Sequence, residues 1–228
     1  MTTYEKHHCW SLLLRLFHWM FALSIVCLIT TGFYINSPWT NTMIEGSSAW
    51  PMAYMRYIHF FAAYTFSSAV MIRFFLYLFG NKQERIWDIL PITPRNIKNL
   101  FKTLMLYSYL SDKHDDRLGH NILAGSMYLI TFFAALFMIL SGFYMLYPEV
   151  SFRPEWGAEF LPEVSFWQGL GVKLFGSQQW ARFLHHCMMW WFMMFAIIHV
   201  YFVIWNDIKS PEGLISSIFT GVKFKQKA

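Results

Sequence analysis

The chain has 228 residues, of which 56% are hydrophobic, 21% aromatic and only 14% charged. That balance excludes an ordinary soluble domain and predicts one integral membrane domain over residues 1–228, with no room for a large extramembrane part. The net charge of +5 is no sign of nucleic acid, because the basic residues follow a membrane topology, as set out below.

In chain order, the first apolar run covers about 16–35, near the length of a full membrane span, with His18 close to its start. No small-x-small cleavage site follows it, so it is expected to remain as a helix rather than leave as a signal peptide. The second run, about 57–80, carries His59 and Arg73. Beyond it, Thr93-Pro94 reads as an N-cap and first-turn pair. Ile97, Leu100, Phe101, Leu104 and Met105 follow at helical spacing, which predicts an amphipathic helix on the membrane surface. His120 and Asn121 stand just ahead of the third run, about 122–147. Pro148 to Gln179 reads as a loop, with Trp156, Phe160, Phe166 and Trp167 suited equally to the membrane interface or to a partner. The fourth run, about 183–205, carries His185, His186 and His199, and Ser210-Pro211 is expected to open a short amphipathic tail helix through Leu214, Ile215 and Ile218. The fold expected is all-α: a four-transmembrane-helix bundle with short amphipathic surface helices.

Charge sets the orientation. The loop between the second and third spans holds Lys82, Arg85, Arg95, Lys98, Lys102, Lys113 and Arg117, and the tail adds Lys209, Lys223, Lys225 and Lys227. The other two interhelix loops offer Arg56, Arg153, Lys173 and Arg182. The positive-inside rule then predicts cytoplasmic termini and a cytoplasmic middle loop.

His185 and His199 lie fourteen residues apart on one helix. At about 100° and 1.5 Å per residue they stand about 40° apart around the helix and about 21 Å apart along it. One helix thus offers an imidazole toward each side of the membrane. His18 matches His199 in depth on the cytoplasmic side, and His59 matches His185 on the periplasmic side. Imidazole is costly in hydrocarbon, and two depth-matched pairs fit two stacked haems, each held by two histidines. Isolated membrane histidines are commonly just hydrogen-bonded, but four at paired depths favour haem. His186 points about 140° away from His199 and is expected to face lipid, a headgroup or a partner. Cys9, Cys27 and Cys187 form no C-x-x-C pair, which excludes covalent c-type haem attachment and an iron-sulfur motif and leaves non-covalent haem b.

A bis-histidine iron has no open coordination position, so the chemistry expected is electron transfer. Arg73, fourteen residues past His59, points toward the cytoplasmic-level haem and would pair with a propionate unless it snorkels to the interface. Gly32, fourteen past His18, serves either close approach of a haem or helix packing. His120 and Asn121 are either a helix cap or a quinone pocket supplying protons and hydrogen bonds. A short internal repeat pairs Leu28-Ile29-Thr30-Thr31-Gly32-Phe33-Tyr34 with Met138-Ile139-Leu140-Ser141-Gly142-Phe143-Tyr144. Fourteen residues before Gly142 stands Tyr128, where the first copy has His18, so duplication of a ligand is not expected.

The runs Arg15-Leu16-Phe17-His18-Trp19, Arg56-Tyr57-Ile58-His59-Phe60, Gly119-His120-Asn121, and His185 through His199-Val200-Tyr201, with Asp207-Ile208 and Ile215-Ser216, resemble the cytochrome b subunit of membrane-bound nickel-iron uptake hydrogenases, a dihaem family shared with the formate dehydrogenase cytochrome subunit. The resemblance implies an electron-transfer subunit of a hydrogen:quinone oxidoreductase in the bacterial inner membrane. It makes His59 and His185 the ligands of a periplasmic haem fed by the iron-sulfur small subunit of a complex that also holds the nickel-iron large subunit. It makes His18 and His199 the ligands of a second haem delivering electrons to menaquinone or ubiquinone. The alternatives are a stand-alone dihaem cytochrome acting on superoxide or quinone, the cytochrome subunit of a formate dehydrogenase type complex, and a membrane anchor without redox chemistry.

Overall fold

The computed structural model describes residues 4–40, 50–90, 93–108, 110, 122–146, 162–209 and 213–226. In chain order the elements are β1 (Tyr4–His8), α1 (Leu12–Asn36), α2 (Pro51–Phe79), α3 (Ile86–Ile89), α4 (Pro94–Tyr107), α5 (Ile122–Leu146), α6 (Pro162–Phe175), α7 (Gln178–Lys209), α8 (Leu214–Thr220) and β2 (Val222–Gln226). Helices α1, α2, α5 and α7 are long and apolar enough to cross a membrane. They leave large side chains such as Leu23, Val26, Phe61, Met71, Phe133 and Ile197 exposed, as lipid-facing positions require. The protein is a multi-pass membrane protein. These helices begin or end beyond the apolar runs because polar turns continue them: α2 starts at Pro51, and α7 extends from Gln178 to Lys209.

The described chain divides into two compact units, residues 1–130 with 196–228, and residues 131–195. In the first unit α1 packs along α2, and a buried carboxylate joins their ends. Glu84, 1% exposed, accepts the Ser11 backbone N–H at 2.7 Å and that of Asn81 at 3.0 Å. Ser11 itself caps α1 by accepting from the Leu14 N–H. The N-terminus is pinned from the other side. β1 pairs antiparallel with β2, Tyr4 opposite Gln226 and His8 opposite Val222. Trp10 Nε1 donates to Ser217 Oγ at 3.0 Å, the Cys9 and Trp10 N–H groups both reach the Gly221 carbonyl, and the Arg15 guanidinium donates to the Phe219 carbonyl. This small sheet is an addition to the all-helical expectation.

The surface helix expected after Thr93-Pro94 is present as α4, and Thr93 caps it by accepting from the Asn96 N–H. Tyr107 at its end stacks on Phe202, with ring centroids 4.5 Å apart, and its hydroxyl accepts from Asn206 Nδ2. The tail helix forms as α8, but its N-cap is Gly213 in the left-handed conformation. Ser210-Pro211, expected to open it, lies outside the described residues.

In the second unit the segment read as a loop from Pro148 to Gln179 holds a helix, α6, of fourteen residues. Proline at the first helical position favours rather than breaks a helix, and two glycines, Gly169 and Gly171, had disguised the apolar face. Phe175 of α6 stacks on Tyr144, which is fully buried, and Trp167 stacks on Phe143 at 4.9 Å. Phe166 is exposed, whereas Trp156 and Phe160 lie outside the described residues. Gly171 permits this packing: a Cβ there would sit 2.0 Å from the Tyr144 ring. A Cβ at Gly169, two residues earlier, would meet nothing within 4 Å. Gly171→Ala is therefore expected to destabilise the second unit by about 3 kcal/mol, the upper range for overpacking, while Gly169→Ala is neutral or stabilising. Thermal denaturation in detergent, followed by tryptophan fluorescence, measures both.

Candidate functional site

Within the first unit, α1 and α7 bring His18 and His199 face to face, with ring centroids 6.4 Å apart and planes at 52°. α5 adds Tyr128, whose ring meets His199 edge-on at 5.8 Å. Trp19 lies edge-on to His18 at 5.2 Å. Both histidines are half-buried while their neighbours Trp19, Ile198 and Val200 are exposed, so the imidazoles occupy the inward stripe of each helix.

Arg73 lies in the same unit and does not snorkel. It is 4% exposed, and its guanidinium carbon stands 4.1 Å from the centre of the Tyr77 ring and 5.8 Å from that of Phe17, the residue next to His18. Its Nη1, like Nδ1 of His18, is buried with no hydrogen-bond partner among the described residues. A buried cation with an unpaired donor is costly. An anion beside it would offset that cost.

Further along α1, Thr31 reaches His59 of α2, with Oγ1 2.8 Å from Nδ1. Thr31 is thirteen residues past His18, about 20 Å along the helix axis, so the first unit holds histidine sites at two levels. In the second unit Ser141 of α5 makes the same contact with His185 of α7, Oγ to Nδ1 at 2.7 Å. Gly142 lies against that ring, where an added Cβ would stand 3.7 Å from His185 Cε1. His186 is half-buried on the adjoining face. His120 and Asn121 lie outside the described residues. Among those residues no three of His, Cys, Asp and Glu converge as a metal cluster; the donors come as single imidazoles on separate helices.

Sequence reasoning missed Thr31, Ser141 and Tyr128, although the internal repeat was their signal. Thr31 and Ser141 occupy the same place in its two copies, as do the buried tyrosines Tyr34 and Tyr144. Tyr128, which stands where His18 stands in the first copy, meets the same partner, His199.

The model of a family described as prokaryotic cytochrome b561 matches residues 9–221. The chain belongs to this family. Among its relatives is a Cupriavidus necator protein named "Probable Ni/Fe-hydrogenase B-type cytochrome subunit", 34% identical over 211 residues, covering 92% of this chain and 83% of the relative. An Azotobacter vinelandii protein of the same name is 33% identical over 211 residues, covering 91% and 84%. The Escherichia coli K12 relative, "Probable Ni/Fe-hydrogenase 1 B-type cytochrome subunit", is 28% identical over 223 residues, covering 96% and 91%. Four helices of this cytochrome b561 family member are long and apolar enough to cross a membrane.

Proposed function

We propose that the protein is the electron-transfer subunit of a nickel-iron hydrogenase complex in the bacterial inner membrane, with both termini cytoplasmic, and that it holds two haem b groups. The observation that carries this reading is the 6.4 Å between the His18 and His199 rings. Two metal–nitrogen bonds of about 2 Å each, plus the distance from nitrogen to ring centre on either side, span about that gap. His18 and His199 would thus hold one iron between them. The Arg73 guanidinium, buried beside Phe17 with an unpaired donor, suits a propionate of the same haem. His59 and His185 are proposed as the second pair, from their matching depth in the sequence and their identical hydroxyl partners.

When bound, haem supplies reversible one-electron chemistry at iron. With two histidines holding each iron, the group would carry electrons rather than bind oxygen. The separation of the levels along α1, about 20 Å, gives the relay its reach. The names of the relatives favour a hydrogenase as the electron source over a stand-alone cytochrome or a formate dehydrogenase type complex. The iron-sulfur small subunit, assembled with the nickel-iron large subunit, is the proposed donor on the periplasmic side. Menaquinone or ubiquinone is the proposed acceptor, with His120 and Asn121 as its hydrogen-bonding and proton-delivering residues, and its reduction takes place on this chain.

Affinity purification in mild detergent, with subunit identification, metal analysis and a redox spectrum on one sample, tests the assembly. Two haems per chain and a nickel-containing partner are expected; a colourless preparation overturns the reading. His185→Ala is expected to lose one haem, and His186→Ala none, by pyridine haemochrome assay. Retention of both haems in His185→Ala would remove it from the ligand set.

Replacing His120 or Asn121 is expected to slow quinone reduction at least tenfold while the haem spectrum stays intact. Unchanged quinone kinetics in both variants would leave them as the cap of α5.

A further inference from the structure

Each copy of the internal repeat sets one hydroxyl against the Nδ1 of a histidine on another helix. Thr31 Oγ1 lies 2.8 Å from His59 Nδ1, and Ser141 Oγ lies 2.7 Å from His185 Nδ1. Both hydroxyls also reach their own helix backbone: Thr31 Oγ1 is 2.7 Å from the Cys27 carbonyl, and Ser141 Oγ is 2.9 Å from that of Phe137. A hydroxyl has one proton, and a carbonyl oxygen only accepts. The proton therefore goes to the carbonyl four residues back, and the hydroxyl oxygen has only lone pairs to offer the imidazole. The contact then requires Nδ1 to carry the ring proton and donate it.

We infer that Thr31 and Ser141 are a matched pair of positioning residues. Each accepts a hydrogen bond from the Nδ1–H of its histidine, which leaves Nε2 as the nitrogen that would coordinate iron and would make it a stronger electron donor. The inference rests on the proposed ligand role of His59 and His185 and adds what fixes their tautomer and orientation. A neutral imidazole has one N–H, so a proton held at Nδ1 leaves Nε2 as the coordinating atom. The acceptor also pulls on that proton and raises the basicity of the ring. A more basic ligand stabilises ferric over ferrous iron and holds the potential of that haem down.

Sequence and structure agree on why the same device occurs twice. Thr31 and Ser141 are each followed by glycine, and Gly142 lies against the His185 ring. In each copy of the repeated motif one hydroxyl thus holds Nδ1 of an imidazole arriving from a neighbouring helix. At His18, by contrast, Nδ1 is buried without a hydrogen-bond partner among the described residues.

The test is redox potentiometry of the full-length purified cytochrome, with electron paramagnetic resonance of the oxidised sample, on Thr31→Val, Ser141→Ala, Thr31→Ser and Ser141→Thr. The first two are expected to raise the midpoint potential of one haem and shift its largest g value, with the other haem unmoved; the hydroxyl-retaining pair is expected to behave as wild type. Loss of one haem in Thr31→Val with full loading in Thr31→Ser would support the same role. Two haems with unshifted potentials and g values in both Thr31→Val and Ser141→Ala would overturn the inference while leaving the ligand assignment standing. Retention of both haems in His59→Ala and in His185→Ala would instead overturn the ligand assignment and the inference with it.

Discussion

An imidazole carried into hydrocarbon must find partners for two nitrogens that water no longer serves, and this constraint organises the protein. In hydrocarbon the backbone satisfies itself by forming helices, which leaves the polar side chains as the groups that need a specific neighbour. Thr31 meets His59, and Ser141 meets His185, each at ordinary hydrogen-bond length. His18 meets His199 across a gap that suits a metal ion rather than a direct hydrogen bond. Arg73 remains buried on Tyr77 with one donor unspent. Each of these placements requires its helix to sit at a set rotation and depth.

The parts far from the histidines serve that placement. Glu84 ties the start of α1 to the end of α2 through two backbone N–H groups, which fixes the level at which His18 enters. The pairing of β1 with β2, and Trp10 on Ser217, hold the same end of α1 to the tail that follows α7. In the second unit α6 packs Phe175 and Trp167 against Tyr144 and Phe143, immediately beyond the Ser141-Gly142 seat of His185. Such close apolar packing limits side-chain freedom next to His185.

The spans and the meeting of His18 with His199 were legible in the sequence because both are matters of position: about 20 apolar residues make a span, and each of these histidines stands near one end of its own. The Thr93-Pro94 start of α4 was legible for a similarly local reason. What was hidden depends on partners distant in the chain. Tyr4–His8 becomes a strand only because Val222–Gln226 lies beside it, and nothing within five residues announces that. α6 was concealed by Pro162 and by Gly169 and Gly171, which read as turn residues until Tyr144 explains why Gly171 must be small. Thr31 and Ser141 were present in the repeat. The shared feature of its two copies is the hydroxyl one place before each glycine, which meets a histidine only across helices.

The central claim is an ordered relay between two histidine pairs, and it is tested most directly by hydrogen-driven reduction of single-haem variants in the assembled complex. With His199 replaced, hydrogen is expected to reduce the remaining haem while quinone stays oxidised. With His59 replaced, the cytoplasmic-level haem is expected to stay oxidised on the same timescale, because a direct hop must cross about 20 Å more of protein. Rapid reduction of that haem in the His59 variant would contradict the order of the two sites.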